Sequence, residues 1–418
     1  MKCLNTAFLG ILIAGLLSIL ACSDVPGPSS FASSTPPIRT VGYWENWNDV
    51  KWWDNNIPGN CHLGCIKDTF EAKIQPYTHV VYSFLLLQND AVAKTSYNKI
   101  ACKTAEDCPV WDGKGIYLSD VPLVGSGVPA ASDISVEANL LRLKILSGNT
   151  TLKDFVTRAH QAKKIALLAL GGWSDWVRIG TTENAETIAG LFAQLVTTTG
   201  ADGVDLDFEH LAEFSKHNGP DSEYKNFSFL VVALRSKLGS DKIISYTTRF
   251  NAFGVTRDNL MSFANPTIAP NPNNPLPTQG YDPADTLKPF VPLTGVDADF
   301  ITNNEGETLW LGGNGVLPIK DSVDMVNIMA YDAGTFLLDF AGIFNNFVGG
   351  GVPAGKISMG LEPGNQAAGG IWEGCAMDKD IIEYVSSKGG GVMFWAINAA
   401  TATNAKYTNI LASGSPCP

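Results

Sequence analysis

The sequence predicts an α/β chain folded as a (β/α)8 barrel of the TIM type, with long insertions after the second and fifth strands. Short apolar, β-branched or aromatic runs begin near Val41, Thr78, Lys164, Gly203, Ile243, Met325, Ile357 and Gly391. Their successive starts differ by about 37, 86, 39, 40, 82, 32 and 34 residues, so five intervals fit one strand plus one helix and two carry insertions. Between strands the period turns helical: Ile188, Leu191, Phe192 and Leu195 fall at i, i+3, i+4 and i+7, as do Phe227, Leu230, Val231 and Leu234. Gly200 and Gly239 stand where those helices should stop. Strands separated by helices run parallel, and eight can close on themselves. An open doubly wound sheet is the fold alternative, since spacing alone fits both.

Composition narrows the function. The chain has 418 residues, 45% of them apolar, which is ample for a large core. With 29 Lys and Arg against 41 Asp and Glu, the net charge of −12 repels polyanions and argues against a nucleic-acid or anionic-membrane partner.

Lys2 precedes an apolar run from Ala7 to Ala21, shaped like the core of a signal peptide and short for a bilayer span. Residues 1–22 are therefore read as an export signal. Its end, Leu20-Ala21-Cys22, is similar to a bacterial lipoprotein box, so a lipid anchor at Cys22 is one expected form and cleavage after Ser23 another. The product is expected to be secreted, or to be an outer-membrane or cell-surface lipoprotein. Residues 23–37 are Ser, Pro and small side chains without periodicity, a flexible linker, and the folded unit is assigned to 38–418. Without Cys3 and Cys22 six cysteines remain, which suggests up to three disulfides in an exported chain. Cys61/Cys65 and Cys102/Cys108 are close pairs, and Cys375 can reach Cys417. Neither a metal nor a cofactor is expected, because no second cysteine pair of zinc spacing accompanies Cys61-His62-Leu63-Gly64-Cys65.

The chemistry concentrates in Asp202-Gly203-Val204-Asp205-Leu206-Asp207-Phe208-Glu209. Strand alternation sends Asp205, Asp207 and Glu209 to one face and Val204, Leu206 and Phe208 to the other. Carboxylates about 7 Å apart in a partly desolvated interior cannot all ionise cheaply, so at least one should hold a proton at neutral pH. That is the condition for a general acid. Glu209 stands at the carboxyl end of the strand, where barrel active sites are built.

These residues resemble the signature DxxDxDxE of the family 18 glycoside hydrolases, the chitinases, with Asp202, Asp205, Asp207 and Glu209 matching without a gap. Met325 to Asp332 is similar to the family's sixth-strand motif, Gly391 to Trp395 to its eighth, and Leu170-Gly171-Gly172-Trp173 to its third. The resemblance implies an enzyme in which Glu209 protonates the glycosidic oxygen. Asp207 would orient the N-acetyl group of the sugar, Asp205 relay charge behind it, and Tyr331 bind the acetamido carbonyl. Asp332 would hold the sugar and Trp395 floor the subsite at the cleaved bond, with Asp202, Met329, Tyr43, Trp44 and Trp173 among the substrate-binding residues. The nucleophile is then the acetamido oxygen itself, giving an oxazolinium intermediate and net retention. Ala169, Phe208 and His210 depart from the usual Ser, Trp and Tyr of the family pattern, and loss of the serine hydroxyl should alter how Asp202 or Asp205 is hydrogen-bonded.

Trp44, Trp47, Trp111, Trp173, Trp176, Trp310, Trp372 and Trp395 all fall at or after carboxyl ends of predicted strands, a bias that suits indoles lining a cleft for sugar rings. Trp52 and Trp53 are assigned to loop packing. Only about 30 residues separate the seventh and eighth strands, too few for the extra α+β domain that walls a deep groove in some family members, so a shallow cleft is expected unless the fifth-strand insertion builds a wall. The implied partners are chitin or N-acetylglucosamine oligosaccharides, met by an endo-acting, monomeric, exported chitinase. Two alternatives share the motif: an endo-β-N-acetylglucosaminidase on N-glycan cores, and a chitin-binding lectin that has lost catalysis.

Overall fold

The computed structural model describes residues 38–45, 70–87, 108–118 apart from 112 and 114, 152–215 apart from 174, 222–253, 305–332, 338–364, 372, 374–398 and 402–418. The signal and linker readings, Trp47, Trp52, Trp53, Cys61, Cys65 and Cys102 lie outside these residues.

Eight parallel strands close a barrel. In chain order they are β1 (Thr40–Glu45), β2 (His79–Leu86), β4 (Ile165–Gly171), β5 (Gly203–Asp207), β6 (Ile243–Arg249), β7 (Met325–Met329), β8 (Ile357–Leu361) and β9 (Gly391–Phe394). Neighbours pair in the order β1-β9-β8-β7-β6-β5-β4-β2, and β1 pairs with β2 to complete the ring. All eight start within one residue of the predicted positions. The short β3 (Tyr117–Leu118), from the first insertion, adds antiparallel to β2. Two residues without an apolar run gave no sequence signal for it.

The described α-helices are α1 (Phe70–Ile74), α2 (Leu152–Gln161), α3 (Thr182–Thr199), α4 (Leu211–Phe214), α5 (Glu223–Leu238), α6 (Glu305–Leu311), α7 (Phe340–Gly349), α8 (Cys375–Ser387) and α9 (Ala402–Ala412). The stop glycines act as read: Gly200 and Gly239 take φ of 79° and 72° beyond α3 and α5. At the other ends Thr181 and Ser222 accept from the main-chain N–H groups of Asn184 and Lys225.

Alternation along the strands divides the apolar side chains in two. Val41, Val81, Leu167, Ala169, Met325 and Met393 fill the barrel interior, while Val204, Leu206, Ile244, Val326 and Met359 pack outward with Ile188, Phe192, Phe227 and Leu230 of the helices. The β8 to β9 connection, 362–390, contains α8, and the expected disulfide Cys375–Cys417 joins the start of α8 to the chain end beyond α9. Most of the fifth-strand insertion, 254–304, lies outside the described residues, and with it the question of a cleft wall.

Asp378 in the first turn of α8 is buried. Its Oδ2 accepts from Trp372 Nε1 at 2.8 Å, and its Oδ1 has no hydrogen-bond partner. Burial pushes this carboxyl up to about 7. The folded state then holds a proton that the unfolded chain releases near pH 4, so the contribution is favourable at low pH and is lost as pH rises from about 4 to about 7, by at most about 1.4 kcal/mol per pH unit. Asp378→Asn should remove this slope and raise the urea midpoint relative to wild type at pH 8; equal midpoints at pH 8 would refute the assignment.

Candidate active site

Asp205 lies mid-strand in β5 and is wholly buried in the barrel. An ionised carboxylate there costs several kcal/mol unless it is hydrogen-bonded. Burial does raise its pKa, and donors from three other strands oppose that rise. Tyr43 OH of β1 donates to Oδ2 at 2.8 Å, and Thr247 Oγ1 of β6 donates to Oδ1 at 2.8 Å. Asn327 Nδ2 of β7 reaches Oδ1 at 3.4 Å and also donates to Ser245 Oγ at 2.8 Å and Tyr43 OH at 3.0 Å. Ala169 is paired in register with Asp205 and contributes only a methyl, so these groups carry the satisfaction that a serine there would share.

One pleat further on, Asp207 is also buried, and its Oδ1 has no hydrogen-bond partner. Burial lifts this carboxyl well above the usual range. The negative charges of Glu209 and Asp205 push it the same way, and Arg249 opposes them. The net effect favours the protonated form of Asp207. Glu209, just past the strand, is half-buried, and Arg249 at the end of β6 donates through Nη2 to its main-chain carbonyl at 2.8 Å. Tyr331, after β7, is buried, with Met393 Sδ 4.0 Å from its OH. Burial first, then Asp207, Glu362, Glu209 and Asp332, keep its phenol protonated far above pH 10, so it is a hydrogen-bond donor at every working pH.

Aromatic rings surround this row. Trp395, beyond β9, stacks on Phe84 of β2 with ring centroids 5.5 Å apart and planes 18° from parallel, and lies 5.8 Å from Tyr43. The peptide bonds Ser83–Phe84 and Trp395–Ala396 are both cis. Gly171 and Gly172 end β4 where no side chain fits. A Cβ on Gly171, at φ 116°, would fall on the carbonyl oxygen of Asp207, and one on Gly172 would meet the Phe84 ring at 2.6 Å. Trp173 follows, more than half exposed.

The sequence model for glycosyl hydrolases family 18 matches residues 39–265, more than half of the chain. The chain belongs to this family. A group II chitinase catalytic domain from Ostrinia furnacalis, solved with (NAG)5, is similar in fold at a TM-score of 0.51 and 14% identity, over 91% of this chain and 98% of that one. A protein described as putative chitinase A from Streptomyces coelicolor is similar at 0.50 and 14%, over 90% and 98%. No curated protein matches the sequence. As a family 18 chain with this barrel, the protein is a glycoside hydrolase.

Within the family 18 signature the four acids part company. Asp205, Asp207 and Glu209 run toward the mouth as expected, but Asp202 precedes β5 at the opposite end of the strand. There its Oδ2 accepts from Ala166 N and meets His160 Nε2, each at 2.8 Å. It joins β5 to β4 and α2, at the end of the strand away from Glu209. Trp44 also leaves the substrate-binding set: it is buried on the outer side of β1, edge-on to Phe70 at 4.7 Å. Tyr43, its neighbour, points inward, yet its hydroxyl is spent on Asp205. Met329 packs in the interior beside Tyr331, and Asp332 lies half-buried at φ 55°. The expectation that most tryptophans line the cleft fails for three more. Trp111 and Trp310 are buried in the outer core, and Trp372 packs on Tyr407 of α9 at 4.6 Å.

Sequence reading missed Ser245, Thr247 and Arg249, although their i, i+2, i+4 spacing on β6 is a polar face like that of β5. It missed Asn327, a lone amide inside the run Met325–Met329, and Phe84. Among the described residues no three His, Cys, Asp or Glu side chains group as a metal site, and no helix is long and apolar enough to cross a membrane.

Thr247→Val keeps shape and removes the hydroxyl from Asp205. It should cost about 1–3 kcal/mol in urea unfolding; an unchanged midpoint would show that Thr247 does not support the buried carboxylate.

Proposed function

We propose that this family 18 hydrolase is an endo-acting chitinase that cleaves β-1,4-linked N-acetylglucosamine with retention, using the substrate's acetamido group as nucleophile. One observation carries the reading: Asp207 is buried between Asp205 and Glu209, which with burial push its carboxyl toward the protonated form, and its Oδ1 is unpartnered. A group held there needs both a donor for that oxygen and an acceptor for the Tyr331 hydroxyl, and a 2-acetamido group presents an N–H and a carbonyl.

Glu209 gives its proton to the glycosidic oxygen as the C1–O bond breaks. The acetamido oxygen attacks C1 from the opposite face, and the positive charge spreads over the oxazolinium ring. Asp207 accepts a hydrogen bond from the ring N–H, and the negative charges of Asp205 and Glu209 beside it favour the charge that develops there. Glu209, now ionised, takes a proton from water, which attacks C1 and reopens the ring with the original configuration restored. The presence of Glu209 speaks against the lectin alternative. Trp395 on Phe84 offers a flat apolar surface to the sugar at the cleaved bond.

Export is part of the same reading. The apolar run before Cys22 and the Cys375–Cys417 disulfide both suit an oxidising compartment. Mass spectrometry of the mature N-terminus separates the two exported forms, an acylated Cys22 or a start at Asp24.

The chain and its Glu209→Gln variant, incubated with N-acetylglucosamine hexamer and followed by proton NMR, test the chemistry. Dimers and trimers released first as the β-anomer by wild type, with loss of about 10²-fold or more in the variant, are expected. Release as the α-anomer would overturn the acetamido route. An untouched hexamer beside a trimmed N-glycan would replace chitin with the glycoprotein substrate.

A further inference from the structure

The loop after β4 carries Trp173, exposed at the mouth, and Trp176, half-buried behind it. One side chain from the end of β5 reaches both. His210, next in sequence to Glu209, is 1% exposed, and its Nε2 donates to the main-chain carbonyl of Trp173 at 2.7 Å. Its ring stacks on Trp176 at 3.4 Å and 22°, and lies 4.8 Å from the Trp173 ring. Phe214 of α4 is 6.0 Å from the imidazole and 6.3 Å from Trp176, closing the cluster from below. Nδ1 is buried with no hydrogen-bond partner, so the imidazole makes a single polar tie, and that tie goes to the backbone of the exposed tryptophan. Arg249 makes a second link: its guanidinium sits 5.8 Å over the Trp173 ring while it donates to the carbonyl of Glu209.

We propose that His210 is a positioning residue that fastens the Trp173–Trp176 loop to the strand end carrying Glu209, so that the aromatic wall and the general acid keep one fixed spacing. The kinetic part of this inference rests on the reading of Glu209 as the acid; the mechanical part does not. Plain packing would need the ring alone, whereas fastening needs the donor as well, and the two can be separated. Burial pushes the imidazole down to about 3, with Arg249 acting in the same direction against the opposing hydrogen bond to Trp173. The tie is therefore uncharged across the range in which a glutamic acid works, and acidification above pH 4 leaves it closed.

His210→Phe keeps an aromatic ring and removes the donor; His210→Gln keeps a donor and removes the ring. In the ligand-free protein, acrylamide quenching of tryptophan fluorescence should rise for His210→Phe and stay nearer wild type for His210→Gln. With the hexamer, His210→Phe should lower kcat/KM by about tenfold, mostly through KM, with His210→Gln recovering part of the loss. In a Trp173→Ala background His210→Phe should add less than about twofold, because the wall it positions is gone. Wild-type quenching and kcat/KM in His210→Phe, or a full additional loss in the Trp173→Ala background, would overturn the proposal. If His210→Phe fails to fold, the same comparison is made with His210→Gln, whose loss must then also vanish in the Trp173→Ala background. If wild type does not cleave the hexamer, the proposed function falls, while the quenching comparison still decides whether His210 holds the loop.

Discussion

Two carboxyl groups buried inside the barrel set the terms for everything around them. Asp205 and Asp207 share the interior with Val41, Val81, Leu167, Met325 and Met393, where ionised oxygens lose their water and gain little from the medium. The barrel answers at one level only: β1, β6 and β7 each place a polar side chain beside Asp205, so four strands meet in one hydrogen-bonded cluster. Asp207, a pleat closer to the mouth, gets no such shell. The two acids thus differ by environment rather than by chemistry. The inner one is held by donors, and the outer one is pushed toward its protonated form and has an oxygen without a partner.

The same economy governs the rim. Where β4 meets β5, two glycines let backbone lie against the carbonyl of Asp207 and let the Phe84 ring slide under the loop. Phe84 in turn supports Trp395 from below. On the other side Arg249 brings a single positive charge to the row and also touches Trp173, so the electrostatics and the aromatic wall share a residue. Gly360 on β8 plays the matching part for Tyr331, whose ring would stand 3.0 Å from a Cβ there.

Strand positions were legible because burial on both faces makes each strand a short apolar run, and a run has clear ends. The acidic row was legible because period-two alternation is geometry and needs no context. The tryptophans were not, since being near a strand's end says nothing about which face a side chain takes. Tyr43 and Trp44 are neighbours with opposite fates, one inside with Asp205 and one outside on Phe70. Asp202 shows the same limit: membership of a motif does not fix which end of the strand a residue occupies. The cluster around Asp205 was hidden because Thr247 and Asn327 join it only when β6 and β7 are brought to the same level, a matter of register between strands far apart in the chain.

Asp205 and Glu209 are set into the fold in different ways. Glu209 sits half-buried beyond the strand, and its main-chain carbonyl accepts from Arg249. The hydrogen bonds around Asp205 do not involve the Glu209 side chain. Replacing Asp205 removes the acceptor that Tyr43, Thr247 and Asn327 share and leaves them only one another and Ser245 inside the barrel. With Glu209 as the proposed acid, the chemistry of this barrel hangs on a side chain outside the interior cluster, whereas a change at Asp205 reaches groups on four strands at once.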